Sequence, residues 1–221
     1  MNEIDTPLPA AELDPLDLAA LLCSRICHDI IGPVFAMSSG LELIADFDDP
    51  DMRDEAMEMI QRSVRSANAK LMFSRLAFGA GGSAGAEIDL ATAGEVARNY
   101  LEGEKQTLEW QVPQLTLPKN RVKLLLNLLL VAAQAIPRGG VIAIVTEGAG
   151  MESAFRLTST GPAARIPTDI ESLVALRYEG LPSAREIQPI YAGLLARETG
   201  MRLAFVKEGE AVHITADPIA P

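Results

Sequence analysis

An α-helical hairpin followed by an α/β sandwich is the fold class that the sequence predicts. Three observations carry it: two long stretches with helical apolar spacing, a run of small residues after them, and alternating strand and helix signals beyond that run. From Leu16 to Ile44, Cys23, Ile26, Ile30, Val34, Met37, Leu41 and Ile44 recur at mixed spacings of three and four, the pattern of a helical seam. A second stretch, Met52 to Phe78, places Met52, Ala56, Met59, Ile60, Ala67, Leu71 and Phe78 on one face. The acidic, proline-containing link Asp46–Asp51 reads as a turn with a helix start, so the two helices should run antiparallel over residues 16–79. Such a hairpin buries one stripe per helix. A second copy of the chain is the simplest source of the missing neighbours, and a homodimeric four-helix bundle is expected. Residues 1–15, acidic and broken by proline, are expected to be poorly ordered.

The run Gly79-Ala80-Gly81-Gly82-Ser83-Ala84-Gly85 ends the second helix and marks a domain boundary, with a linker at 80–87 and a second domain at 88–221. In that domain the pattern predicts a helix at 90–101, strands at 108–112 and 115–117, and an apolar helix at 120–136. Strands at 141–146 and 154–158, helices at 170–176 and 186–199, and strands at 202–206 and 212–215 complete it. Helices over one mixed sheet are the expected arrangement.

Composition narrows the function classes. A net charge of −11 and a pI near 4.7 repel phosphate backbones and anionic lipid, so neither nucleic acid nor membrane is the expected partner. No export signal and no uncharged apolar run of spanning length is apparent, the longest being Leu124–Ile136, and a cytoplasmic location is expected. Cys23 and Cys27 stand one helical turn apart, where a disulfide along the helix is geometrically unfavourable.

Two histidines are present. His213 sits in an alternating strand and is assigned no chemistry. His28 lies in the first long helix, roughly 160° round from the centre of its apolar seam at 100° per residue, and so points outward. Leu21 and Phe35, each seven residues away, share that face, with Ile31 beside them and Ser24 and Gly32 one turn away. A protruding imidazole among exposed apolar and small residues has the composition of a docking surface with a reactive centre. Arg25 can lie alongside a phosphoryl group on the ring, and Asp29 can fix the imidazole tautomer. Cys23, Cys27 and His28 do not form a haem or metal motif, because the Cys-x-x-x-Cys-His spacing is one residue too long.

His28-Asp29-Ile30-Ile31-Gly32-Pro33 resembles the H-box of sensor histidine kinases, in which an acidic residue follows the phosphorylated histidine and a helix-bending proline comes five positions on. The second domain resembles the kinase ATP-binding domain of the Bergerat type, in degenerate form. In Leu124–Ala135, Asn127 and Ala132 match the N-box pattern, but Val131 stands where the second asparagine would help hold magnesium, and an aliphatic chain cannot ligate a hard cation. Ser159 replaces the adenine-reading aspartate of the Asp-x-Gly-x-Gly loop, Ala163 replaces its last glycine, and Glu179–Arg185 offers no glycine-rich lid.

Across nearly the whole chain, the combination is similar to the ChpT family of dimeric alphaproteobacterial histidine phosphotransferases. Arg25-x-Cys27-His28-Asp29, Asp51–Met57 and Arg75–Ala80 carry that likeness. The resemblance implies that His28, tuned by Arg25 and Asp29, takes a phosphoryl group from the receiver aspartate of a CckA-type hybrid histidine kinase. It then passes the group to response regulators of the CtrA and CpdR types. No cofactor is expected in this chain, Mg2+ being supplied by the partner receiver. The competing readings are a non-catalytic scaffold or inhibitor of kinases and an ATP-dependent histidine kinase.

Overall fold

The computed structural model describes residues 12–46, 49–79, 86–148 and 150–219. Residues 1–11, and positions 80–85 of the expected linker, lie outside them.

The hairpin consists of α1 (Pro15–Asp46) and α2 (Pro50–Ala77). Asp14 Oδ1 accepts the Leu16 N–H at 2.8 Å at the start of α1, and Asp49 Oδ1 accepts the Asp51 N–H at 3.0 Å with Pro50 in the first turn of α2. α1 therefore begins one residue ahead of the sequence expectation. Pro33 lies inside it, and the helix runs on through it.

Along the hairpin, Ile26, Ile30, Met37 and Ile44 are half-buried, while Ala56, Ser63 and Ala67 of α2 are buried. The helices pack tightly at Gly40, where a Cβ would fall 2.6 Å from Ile60 Cγ1. Of the seam drawn from sequence, Cys23, Val34 and Leu41 of α1 and Met52 and Leu71 of α2 are exposed in the single chain. α1 is also long and apolar enough to cross a membrane by length and composition, although Asp17, Arg25, Asp29 and Glu42 interrupt it and no uncharged run of spanning length occurs in it. Part of its apolar surface packs against α2 and the second domain, and Arg25 and Asp29 pair within it.

The second domain opens with β1 (Glu87–Asp89), α3 (Leu90–Leu101), β2 (Gln106–Gln111) and β3 (Thr116–Pro118). Then come α4 (Lys119–Ala135), β4 (Gly140–Glu147), β5 (Ala154–Thr160), α5 (Ile170–Val174), α6 (Ile187–Glu198), β6 (Met201–Glu208) and β7 (Ala211–Pro218). Five strands form a mixed sheet in the order β2-β4-β5-β7-β6, with only the β2–β4 pair parallel. β1 pairs antiparallel with β3 in a two-stranded ribbon that the sequence reading missed.

α4 is the axis of the core. Val122, Leu124, Leu125, Leu126, Leu128, Leu129 and Val131 are all fully buried, and the inward residues Ile142, Ile144, Phe155, Leu157 and Ile214 of the sheet belong to the same core. Each fully buried aliphatic side chain of this kind stabilises by about 1.5–3 kcal/mol. Phe73 and Ala77 of α2 join that core. A second, smaller cluster brings Leu13, Leu18, Leu21 and Leu22, at the start of α1, against Leu173, Leu176, Ile187 and Ile190 around α5 and α6. The hairpin is thus held to the second domain at its open end, through the start of α1 and the end of α2. This also corrects the sequence placement of Leu21, which packs against the second domain instead of sharing the open face with Phe35.

Candidate functional site

His28 projects from the middle of α1 with 78% of its side chain exposed, whereas Arg25 and Asp29 are only 17% and 18% exposed. A helix presents residues three and four apart on adjoining lines, so one turn of α1 carries both the free ring and the covered ion pair. Arg25 Nε donates to Asp29 Oδ2 at 3.0 Å, and the other carboxylate oxygen, Oδ1, lies 3.5 Å from His28 Nδ1, the outer limit of a hydrogen bond. The carboxylate faces Nδ1, so the tautomer it favours carries its proton there and leaves the Nε2 lone pair outward.

The three residues singled out from sequence are therefore brought together. Arg25 is paired with Asp29 and also interacts with Tyr100 of the second domain. Around His28, Ile31 and Phe35 are 67% and 72% exposed, an apolar surround open to a docking protein. Cys23 and Cys27 are exposed free thiols on the same helix. Among the described residues no group of three or more His, Cys, Asp or Glu converges as a metal site.

Sequence reasoning missed Tyr100 of α3. Its ring lies 4.2 Å, centroid to centroid, from that of Phe73, and its hydroxyl is within interaction range of both Arg25 and Asp29. Burial, followed by the negative charge of Asp29, pushes the Tyr100 hydroxyl up to about 12. An aromatic residue at the end of an amphipathic helix gave no sign that it would reach a pair 71 and 75 positions earlier.

The positions at which a nucleotide would be met have other occupations. Asn127 is fully buried, and its Nδ2 donates to Ala77 O at 3.2 Å and Lys123 O at 2.9 Å. Val131 is fully buried, and so is Ser159, whose Oγ donates to Ala132 O at 2.9 Å. Gln188 of α6, also fully buried, donates to Asn127 O at 2.7 Å and closes over α4. Ala163, aligned by the resemblance with the last glycine of the loop, keeps a left-handed backbone at φ +61°, a conformation that favours glycine.

Comparison with known proteins gives a consistent set of likenesses. The family model for the histidine phosphotransferase C-terminal domain matches residues 90–211. The chain is 44% identical over 208 residues to the protein phosphotransferase ChpT of Brucella abortus strain 2308, spanning 94% of this chain and 95% of that one. It is similar to the solved structure of a bacterial phosphotransferase at a TM-score of 0.86 and 41% identity, over 94% of this chain and 99% of that one. The histidine kinase AdeS of Acinetobacter baumannii aligns at 12% identity and a TM-score of 0.46, over 86% of this chain and 96% of that one.

Proposed function

The chain belongs to the histidine phosphotransferase family, and from that premise we propose that His28 receives a phosphoryl group from a receiver-domain aspartate and returns it to another, without ATP. The observation that carries the reading is the contrast at one turn of α1: an open imidazole whose Nδ1 faces a carboxylate held in place by a covered arginine.

In the transfer, the Nε2 lone pair attacks phosphorus as the bond from phosphorus to the aspartyl oxygen breaks. The aspartate leaves as a carboxylate, and the ring keeps its Nδ1 proton, whose developing positive charge Asp29 offsets. The return step is the reverse. The receiver's acidic pocket supplies the Mg2+ that offsets charge on the phosphoryl oxygens, so this chain contributes position and polarity. Independence from ATP is supported by the burial of Asn127, Val131 and Ser159, which makes them unavailable to a ligand in this conformation.

The proposal includes a homodimer. α1 carries Cys27, Val34 and Leu41, and α2 carries Met57, Val64 and Leu71, each set at seven-residue spacing and exposed in the single chain. Two such stripes are what a hairpin offers to a second hairpin in a four-helix bundle. The donor would be a receiver of a CckA-type hybrid kinase, the acceptors regulators of the CtrA and CpdR types, and the setting cytoplasmic.

The test mixes the protein, with and without His28→Ala, with a receiver domain carrying radiolabelled phosphoryl aspartate. Label on the wild-type chain and none on the variant is the expected outcome. Failure of label to reach the wild type from any of several receivers would leave a non-catalytic kinase scaffold as the better reading.

A further inference from the structure

The Arg25–Asp29 pair is of a kind that is ordinarily weak. An i,i+4 ion pair on a helix surface contributes about 0.3–0.5 kcal/mol, and its side chains sample several rotamers. Here both side chains are more than four-fifths covered, and one of the residues interacting with them is Tyr100, from the other domain. The orientation of the pair matters because Asp29 uses one oxygen for Arg25 and turns the other to His28. A rotation that frees the first oxygen also moves the second.

We propose, on the basis of the phosphotransfer reading, that Tyr100 is a positioning residue: the second domain uses it to hold the Arg25–Asp29 pair, and through Asp29 the productive tautomer of His28. Three features give the ring a fixed place from which to act. It is stacked on Phe73, which is 1% exposed. Its helix rests on the indole of Trp110 at Gly94, where a Cβ would fall 2.7 Å from Trp110 Nε1. Just beyond that helix, Glu104 pairs with Lys70 of α2 at 3.4 Å. The hydroxyl remains protonated throughout the range in which imidazole chemistry runs, since it is pushed up to about 12, and so keeps both a donor and an acceptor for the pair. A phenylalanine would fill the same space and lack both.

The site is therefore built from two domains. α1 supplies the nucleophile and the carboxylate that polarises it, and α3 supplies the group that keeps the carboxylate aimed. The second domain, with its nucleotide positions absorbed into the core, still acts on the histidine.

The experiment uses the full chain with Tyr100→Phe, Asp29→Asn and the double variant. The first readout is the 15N shifts of the His28 ring in unphosphorylated protein, with His213, the other of the two histidines, as internal reference. The second is the single-turnover rate of transfer from a phosphorylated receiver at increasing receiver concentration. Tyr100→Phe is expected to shift the His28 nitrogens toward the Nε2–H tautomer and leave His213 in place. The saturating rate should fall about fivefold, the worth of one hydrogen bond, with the half-saturating receiver concentration unchanged. The double variant should be no slower than Asp29→Asn alone. Arg25→Gln breaks the same link from its other end while leaving the Tyr100 ring on Phe73, and should give the same shift, which keeps the test decisive if Tyr100→Phe unfolds.

A His28 spectrum and rate indistinguishable from wild type in Tyr100→Phe would overturn the proposal, as would losses that add to those of Asp29→Asn. The ring shifts need no phosphoryl donor. A wild-type chain that accepts no label would sink the transfer reading while the spectra still decide whether Tyr100 positions His28.

Discussion

Replacing Asn127 by alanine tests whether an asparagine that matches a nucleotide-binding motif now has a structural task. Its Nδ2 bridges Ala77 O, in the last turn of α2, and Lys123 O, one turn back in α4. Terminal carbonyls of a helix have no partner within it, so Ala77 O depends on Asn127, whereas the Lys123 carbonyl keeps its own place in the helical ladder. Truncation leaves the fully buried Ala77 with an unpaired acceptor, at about 1–3 kcal/mol, and removes a bond to Lys123 O worth about 1 kcal/mol. Against this, Asn127 Oδ1 is buried without a partner, and deleting it returns part of its own desolvation cost. The net expectation is a loss of about 1–2 kcal/mol, which for a chain of this size lowers Tm by about 3–6 °C. Asn127→Leu refills the space and should lose less. Differential scanning calorimetry of the three proteins is the assay, paired with titration of ATP and magnesium. A variant that melts with the wild type, in a chain whose wild type binds nucleotide and whose variant does not, would refute the reasoning and restore the asparagine to a ligand-binding role.

Three further outcomes are expected. Asp29→Asn, which keeps the shape but not the charge facing His28, should slow transfer about 100-fold without changing receiver affinity, read by single-turnover labelling. Gly94→Ala places a Cβ against the face of Trp110, the single tryptophan, and should destabilise the fold by about 1–3 kcal/mol; an unshifted tryptophan emission maximum together with an unchanged melt would count against that packing. Burial raises all three tyrosine hydroxyls, Tyr100 to about 12. Unfolded tyrosine ionises near pH 10, so the contribution of Tyr100 to stability is complete below pH 10 and falls as pH rises from 10 to 12. Tyrosinate absorbance at 295 nm should accordingly lag that of the denatured chain, and lag less in Tyr100→Phe.

The helices and most strands were legible because each holds one periodicity for long enough to be read. β1 was not, being three residues with no alternation to separate it from a linker. Spacing also identified α1 as amphipathic, but threes and fours cannot tell a stripe that meets α2, such as Ile26, Ile30 and Met37, from one left open, such as Cys27, Val34 and Leu41. The outward direction of His28 followed from helical angle alone. The cover over Arg25 did not, because Tyr100, one of the residues that interact with it, is delivered by the chain from another domain. Leu21 failed for the same reason: its partners around α5 and α6 lie far along the sequence.

That last packing bears on how the protein is made. On a ribosome α1 emerges first, but the residues that cover Leu18, Leu21 and Leu22 include Ile187 and Ile190, about 170 positions later. At roughly 5–20 residues per second, the opening turns of the helix wait about 8–35 s for their cover. During that interval the nascent chain displays a leucine-rich segment that only the finished domain removes from view.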